Sequence, residues 1–153
     1  VIRLKSGIVP RDLKKEYTEL SGLNNFVYSD EESSLESISK SELVVVTYDS
    51  TFFLEALTLN KPTCLFIRKD FWEMSEHSEP YFKKFLECGI LHYDEKSLAR
   101  HISNVQHDYS SWWESDLVQL SVESFLIKYG LSKEHWEEDW YNEINSYLEK
   151  LSK

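Results

Sequence analysis

Leu43-Val44-Val45-Val46-Thr47-Tyr48-Asp49-Ser50-Thr51-Phe52-Phe53-Leu54-Glu55 decides the fold, together with Asn60-Lys61-Pro62-Thr63-Cys64-Leu65-Phe66-Ile67 just beyond it. Residues 43–47 form an unbroken, mostly β-branched apolar run, the signature of a strand buried on both faces. A small polar turn follows, and residues 50–59 have a helical pattern that Asn60-Lys61-Pro62 ends. Residues 63–67 then repeat the buried-strand pattern. Strand, helix, strand at this spacing is a βαβ unit, and parallel strands need such a crossover.

Working outward, the same alternation fills the first hundred or so residues. Short strands are expected at 1–4, 26–28 and 90–92, and helices at 12–20, about 34–40, 81–88 and from Asp94 to near Val105. Gly89 is the expected stop after Cys88, and Asp94 the expected cap of the helix after it. The expected fold class is therefore α/β: a Rossmann-like parallel sheet of about five strands with helices on both faces, 43–47 at its centre. From Ser110 onward only helix is read, in two pieces broken at Tyr129-Gly130-Leu131. In the second piece Trp136, Trp140, Ile144, Tyr147 and Leu151 recur at helical spacing, an amphipathic stripe with acids opposite. The expected organisation is a donor-sized α/β domain over 1–108 and a helical extension over 109–153.

The chain has 153 residues, enough for one compact domain, and 41% hydrophobic residues, enough for a core. A formal charge of -10 argues against general binding to nucleic acid. The basic exception is 1–15, where Arg3, Lys5, Arg11, Lys14 and Lys15 face only Asp12. Cys64 and Cys88 sit among apolar neighbours without metal spacing, as buried thiols of a reducing compartment do. No apolar run nears the roughly 18 residues of a membrane span, so a cytoplasmic protein, peripheral at most to the inner membrane, is expected. The chain opens at once on Val1-Ile2-Arg3-Leu4, which fits a segment cut from a longer protein.

Ligands of doubly wound sheets bind outside the carboxyl ends of the strands. After 43–47 comes Asp49-Ser50-Thr51, leading into a helix. Free amides at a helix start favour an anion such as a phosphate, and the Ser50 and Thr51 hydroxyls can add donors. Glu55 lies one turn beyond Thr51 on the same face, placed to accept from a ribose diol. The plainer alternative is an ordinary Asp49 or Ser50 helix cap. A capping box is excluded, since Phe53 and Leu54 stand where it needs Glu or Gln. A phospho-accepting receiver also fits poorly: Lys5-Ser6 and Tyr93-Asp94 replace its acidic pair and its lysine. The second candidate loop is 68–80, in which Arg68 can meet a phosphate and Phe71 or Trp72 can stack on a base or sugar. Folding of those aromatics back onto the core is the alternative.

Taken together, Thr47-Tyr48-Asp49-Ser50-Thr51, Leu54-Glu55-Ala56-Leu57, Asn60-Lys61-Pro62-Thr63, Phe71-Trp72-Glu73, Pro80-Tyr81-Phe82, Gly89-Ile90-Leu91-His92 and Trp112-Trp113 resemble the C-terminal, donor-binding half of GT-B glycosyltransferases. Within these they resemble a transferase family of cell-surface polysaccharide synthesis, over about 1–125. The resemblance implies a nucleotide-activated sugar donor, with Ser50 and Thr51 on its phosphates, Glu55 on its ribose and Arg3 facing the same cleft. It implies a glycan acceptor, an N-terminal domain supplying the general base, and no activity in this segment alone. Lys5-Ser6-Gly7 departs from the more aromatic, Pro- or His-containing loop of such enzymes. The C-terminal helices would pack on the 1–108 domain, on that other domain or in a dimer. No cofactor is expected. No metal is expected either, because His77, His92, His101, His107 and His135 show no ligand spacing. His92 ends a strand on the ligand edge, either touching substrate or half-buried and hydrogen-bonded to backbone. Trp112 and Trp113 are read as core packing. The reading from another class is a non-catalytic Rossmann-like binding or scaffold module.

Overall fold

The computed structural model describes residues 19, 33–48, 50–130 and 136–151. The chain divides into two compact units, Val1–Lys40 and Ser41–Lys153. In the first, helix α1 (Ser34–Lys40) starts where expected. The Ser33 hydroxyl accepts from the Glu36 amide at 3.2 Å, and Lys40 pairs with Glu36 one turn away at 2.8 Å. The strands expected at 1–4 and 26–28 and the helix at 12–20 fall outside the described residues, save for Glu19, which is helical.

The second unit is built on three parallel strands, β1 (Val44–Val46), β2 (Thr63–Phe66) and β3 (Leu91–His92), in the order β1-β2-β3. Helix α2 (Thr51–Thr58) joins β1 to β2, and α3 (Glu79–Cys88) joins β2 to β3. Parallel crossovers are right-handed, so both helices cover the same face. After β3 come α4 (Glu95–Val105), α5 (Tyr109–Trp113), α6 (Asp116–Tyr129) and α7 (Trp136–Leu151). The class is α/β, as expected. Three strands form the described sheet rather than about five, and within it β2, not the 43–47 run, is central.

The strand period of two explains the burial. Val44 and Val46 pair with Thr63 and Leu65, and all four are buried. Val45, on the opposite face beside Cys64, is 41% exposed, so the expectation of burial on both faces fails at this residue. Helix α4 packs against β2 and β3.

The core on the α2–α3 side is closed by α6, which packs on both helices. Phe125 is its hub: its ring lies 4.9 Å from Phe85, 5.6 Å from Phe82 and 6.1 Å from Phe53, the last two edge-on. Edge and tilted contacts suit the aromatic quadrupole while the rings leave water. At the α2–β2 turn, Asn60 takes the left-handed conformation at φ 50°, which Asn tolerates better than most residues. Its carboxamide oxygen accepts from Trp113 Nε1 at 2.8 Å and Gln119 Nε2 at 3.3 Å. Trp112 Nε1 donates to the Cys88 carbonyl at 2.9 Å. These two indoles are therefore structural, as the sequence suggested, and they tie α5 to the ends of α2 and α3. The break at Glu114-Ser115 between α5 and α6 was not expected. On α7 the Trp136, Trp140, Ile144, Tyr147 and Leu151 stripe is exposed. No helix among the described residues is long and apolar enough to cross a membrane.

Candidate functional site

Because β1 and β2 run parallel with Val46 beside Leu65, the segments after them emerge at the same edge of the sheet. Ser50 and Thr51 at the start of α2 and Arg68 and Trp72 after β2 all follow strands at that edge. Arg3 and Asp49 lie outside the described residues.

Two other helix starts in this unit are capped by aspartates. Asp94 accepts from the Ser97 amide at 2.8 Å, and Asp108 from the Ser111 amide at 3.0 Å. The Ser111 hydroxyl also donates to Asp108, and these bonds hold its carboxyl below the usual range. The Ser78 and Ser115 hydroxyls make no cap, yet each donates to a carbonyl, of Ser75 and Trp112. At the start of α2 the cap hydroxyl has neither kind of bond. Ser50 is the N-cap residue in extended conformation, but its hydroxyl makes no cap bond. The amide it would cap, on Phe53, goes to the Ser50 carbonyl instead, at 3.0 Å. Ser50 Oγ is buried without any hydrogen-bond partner, and so is Glu55 Oε2 on the same helix. Buried polar atoms are almost always paired, and each orphan costs about 1–3 kcal/mol. Two of the three such atoms among the described residues thus fall in one helical turn and a half of a sequence-predicted phosphate-and-ribose site. Thr51, four residues before Glu55, is exposed at the same end of the helix.

In the loop after β2, a 3-10 turn spans Lys69–Phe71. The Arg68 guanidinium sits 4.8 Å from the Phe71 ring, and both side chains are exposed. Lys69 lies over the Tyr93 ring at 5.9 Å, and Tyr129 donates to the His77 carbonyl at 3.2 Å, which ties the loop to β3 and α6. Trp72 is half-buried. The segment after β2 thus displays a cation–aromatic pair.

His92 takes the structural alternative. Its ring is buried and hydrogen-bonded to the Gly89 carbonyl (Nε2, 2.9 Å) and to the Ser97 hydroxyl (Nδ1, 3.0 Å). It faces the α4 side of the sheet, where His101 lies 5.1 Å away between ring centres and Trp112 closes edge-on over His101 at 4.6 Å. Burial lowers the pKa of both imidazoles, and for His101 the neighbouring His92 lowers it further. Cys64, two residues before the β2 partner of His92, shares this face. Cys64 and Cys88 are buried free thiols, as expected; burial, then Cys88, pushes the Cys64 thiol up to about 12. Sequence reading missed this grouping because its members are far apart in the chain. Only the strand register reveals it.

Compared with known proteins, residues 12–144 match the family model described as LIC12162 family transferase, most of the chain. Neither the curated proteins nor the solved structures gave a match.

Proposed function

The chain belongs to the LIC12162 family transferases, and from that premise we propose that it holds the nucleotide-activated sugar donor of a glycosyltransferase acting on a cell-surface glycan. The observation that carries the reading is the pair of buried, unpartnered atoms Ser50 Oγ and Glu55 Oε2 at the open start of α2. A diphosphate at this helix start takes hydrogen bonds from the free amides, from Ser50 and from Thr51. Glu55 accepts from the ribose hydroxyls, and a carboxylate is the stronger acceptor for that task. Arg68 adds a cation at the same edge, with Trp72 and Phe71 available to the base or sugar. In the transfer step, preorganised amides and cations stabilise the charge developing on the leaving diphosphate. The general base belongs to a further domain, so this segment binds donor without turning it over.

Calorimetric titration with nucleoside diphosphates, one at a time, tests the reading, with inorganic phosphate as control. Glu55→Gln is expected to weaken nucleotide binding by about 1.5–3 kcal/mol, the scale of a hydrogen bond to a charged group, and to leave phosphate binding nearly unchanged. A chain that binds none of these nucleotides is instead a scaffold module. A variant that loses stability but keeps its nucleotide makes Glu55 structural.

A further inference from the structure

Cys64 from β2, His92 from β3 and His101 from α4 each offer one ligand atom within 4.8 Å of the other two. All three meet between the sheet and α4. A thiol and two imidazoles are the donor set of tetrahedral Zn(II), with bonds of about 2.0–2.3 Å. Ligands of such an ion stand roughly 3.3–3.8 Å apart, so the cluster must close by about 1 Å.

Three further observations point to an ion. His101 Nε2 is buried and has no hydrogen-bond partner, although its two neighbours in the cluster are polar. Without an ion, His92 Nε2–H donates to the Gly89 carbonyl at 2.9 Å and Nδ1 accepts from the Ser97 hydroxyl at 3.0 Å; with an ion on Nε2 the ring proton moves to Nδ1 and the Ser97 hydroxyl becomes its acceptor, the usual outer support of a metal-binding imidazole. The Gly89 carbonyl oxygen also stands 4.0 Å from Cys64 Sγ, within reach of the same ion. Glycine at 89 is what allows this approach: a Cβ there would lie 2.6 Å from His101 Cε1, and φ is +84°.

We propose that Cys64, His92 and His101, with the Gly89 carbonyl as fourth ligand, bind one divalent ion of the zinc class that pins α4 to β2 and β3. Binding converts the Cys64 thiol to a thiolate, releasing one proton to solvent as the metal–sulfur bond forms. Half-buried His101 gives the ion its way in.

The test is titration of the untagged, chelator-stripped chain with Co(II), followed by Zn(II) competition. One Co(II) per chain is expected, with a thiolate-to-cobalt charge-transfer band, one proton released, and loss of the band on adding Zn(II). Cys64→Ser should abolish that band and Cys88→Ser should keep it. Ser97→Ala, which only loosens the His92 ring, should weaken Zn(II) about 10–100-fold. A wild-type chain that binds no ion, or a thiolate band that persists in Cys64→Ser, overturns the proposal. Should Cys64→Ser fail to fold, His101→Gln decides: unaltered Co(II) affinity there also overturns it.

Discussion

Ser50→Ala separates a binding turn from a helix cap more cleanly than any other substitution. Truncating a working Ser cap costs about 0.5–2 kcal/mol, typically about 1. In this structure the Ser50 hydroxyl makes no cap bond, because the Phe53 amide is taken by the Ser50 carbonyl. It is also buried without a partner, a condition worth about 1–3 kcal/mol against the fold when the site is empty. Alanine removes the orphan and no bond. The free protein should therefore be unchanged or more stable by about 1 kcal/mol. At a urea dependence of about 2 kcal/mol per molar, that gain raises the unfolding midpoint by about 0.5 M. The nucleotide-bound protein should show the reverse, since a hydroxyl donor to a charged phosphate is lost, worth about 1.5–3 kcal/mol or roughly 10–150-fold in affinity. Urea unfolding with and without nucleoside diphosphate reads both arms. A free protein destabilised by about 1 kcal/mol or more would mean that the hydroxyl caps α2 in solution, and the site would lose its main support.

Other substitutions probe the frame that holds the site. Phe125→Ala empties the hub of the aromatic cluster on α2, α3 and α6 and should cost about 3–5 kcal/mol in chemical denaturation. Gly89→Ala meets both a left-handed φ of 84° and the His101 ring; about 1–2 kcal/mol comes from the backbone alone, and denaturation should show a larger loss. Asn60→Ala loses the tolerance for φ 50° and the acceptor of Trp113 and Gln119, and should cost about 1–3 kcal/mol; Asn60→Gly, which restores the backbone, should cost less.

What could be read from the sequence was what is local. The runs 44–46 and 63–66 are apolar and β-branched or aromatic, and α2 between them follows from its period and the Asn60-Lys61-Pro62 stop. Gly89 and Asp94 announced their roles because a left-handed stop and an aspartate cap need few residue types. Helix α3 begins earlier than read, since Pro80 looks like the end of a loop but is compatible with a first helical turn. The break before Ser115 escaped because no Gly or Pro marks it; the hydrogen bonds of Trp112 and Trp113 to distant residues impose it. Exposure of Val45 escaped because composition alone does not tell one sheet face from the other. At the site, the sequence pointed to Ser50, Thr51 and Glu55 by type and spacing. The lack of partners at Ser50 Oγ and Glu55 Oε2 is a property of packing, visible only in three dimensions.

Helix α2 is held very unequally at its two ends, and the proposed binding role rests on that inequality. At the C-terminal end the Leu59, Asn60 and Lys61 amides donate to the Glu55, Leu57 and Ala56 carbonyls at 2.9–3.0 Å. The Asn60 carboxamide beside them is locked to α5 and α6. Phe53, Ala56 and Leu57 bury its inner face, with Phe53 against Phe85 and Phe125. At the N-terminal end the Phe53 amide reaches back to the Ser50 carbonyl, the amides before it have no intrahelical acceptor, and the Ser50 hydroxyl caps none of them. A helix anchored in this way cannot shift to relieve its unsatisfied end, so donors aimed at the sheet edge stay aimed there without a ligand. Preorganised dipoles of this kind need no rearrangement when charge arrives, which is the condition for stabilising a leaving diphosphate. It follows that loosening the far end should be felt at the near one. Asn60→Ala, though far from any proposed ligand contact, should weaken nucleotide binding as well as the fold, while Asn60→Gly should spare more of both. Nucleotide affinity that stays constant while stability falls would show that the anchoring and the site are independent.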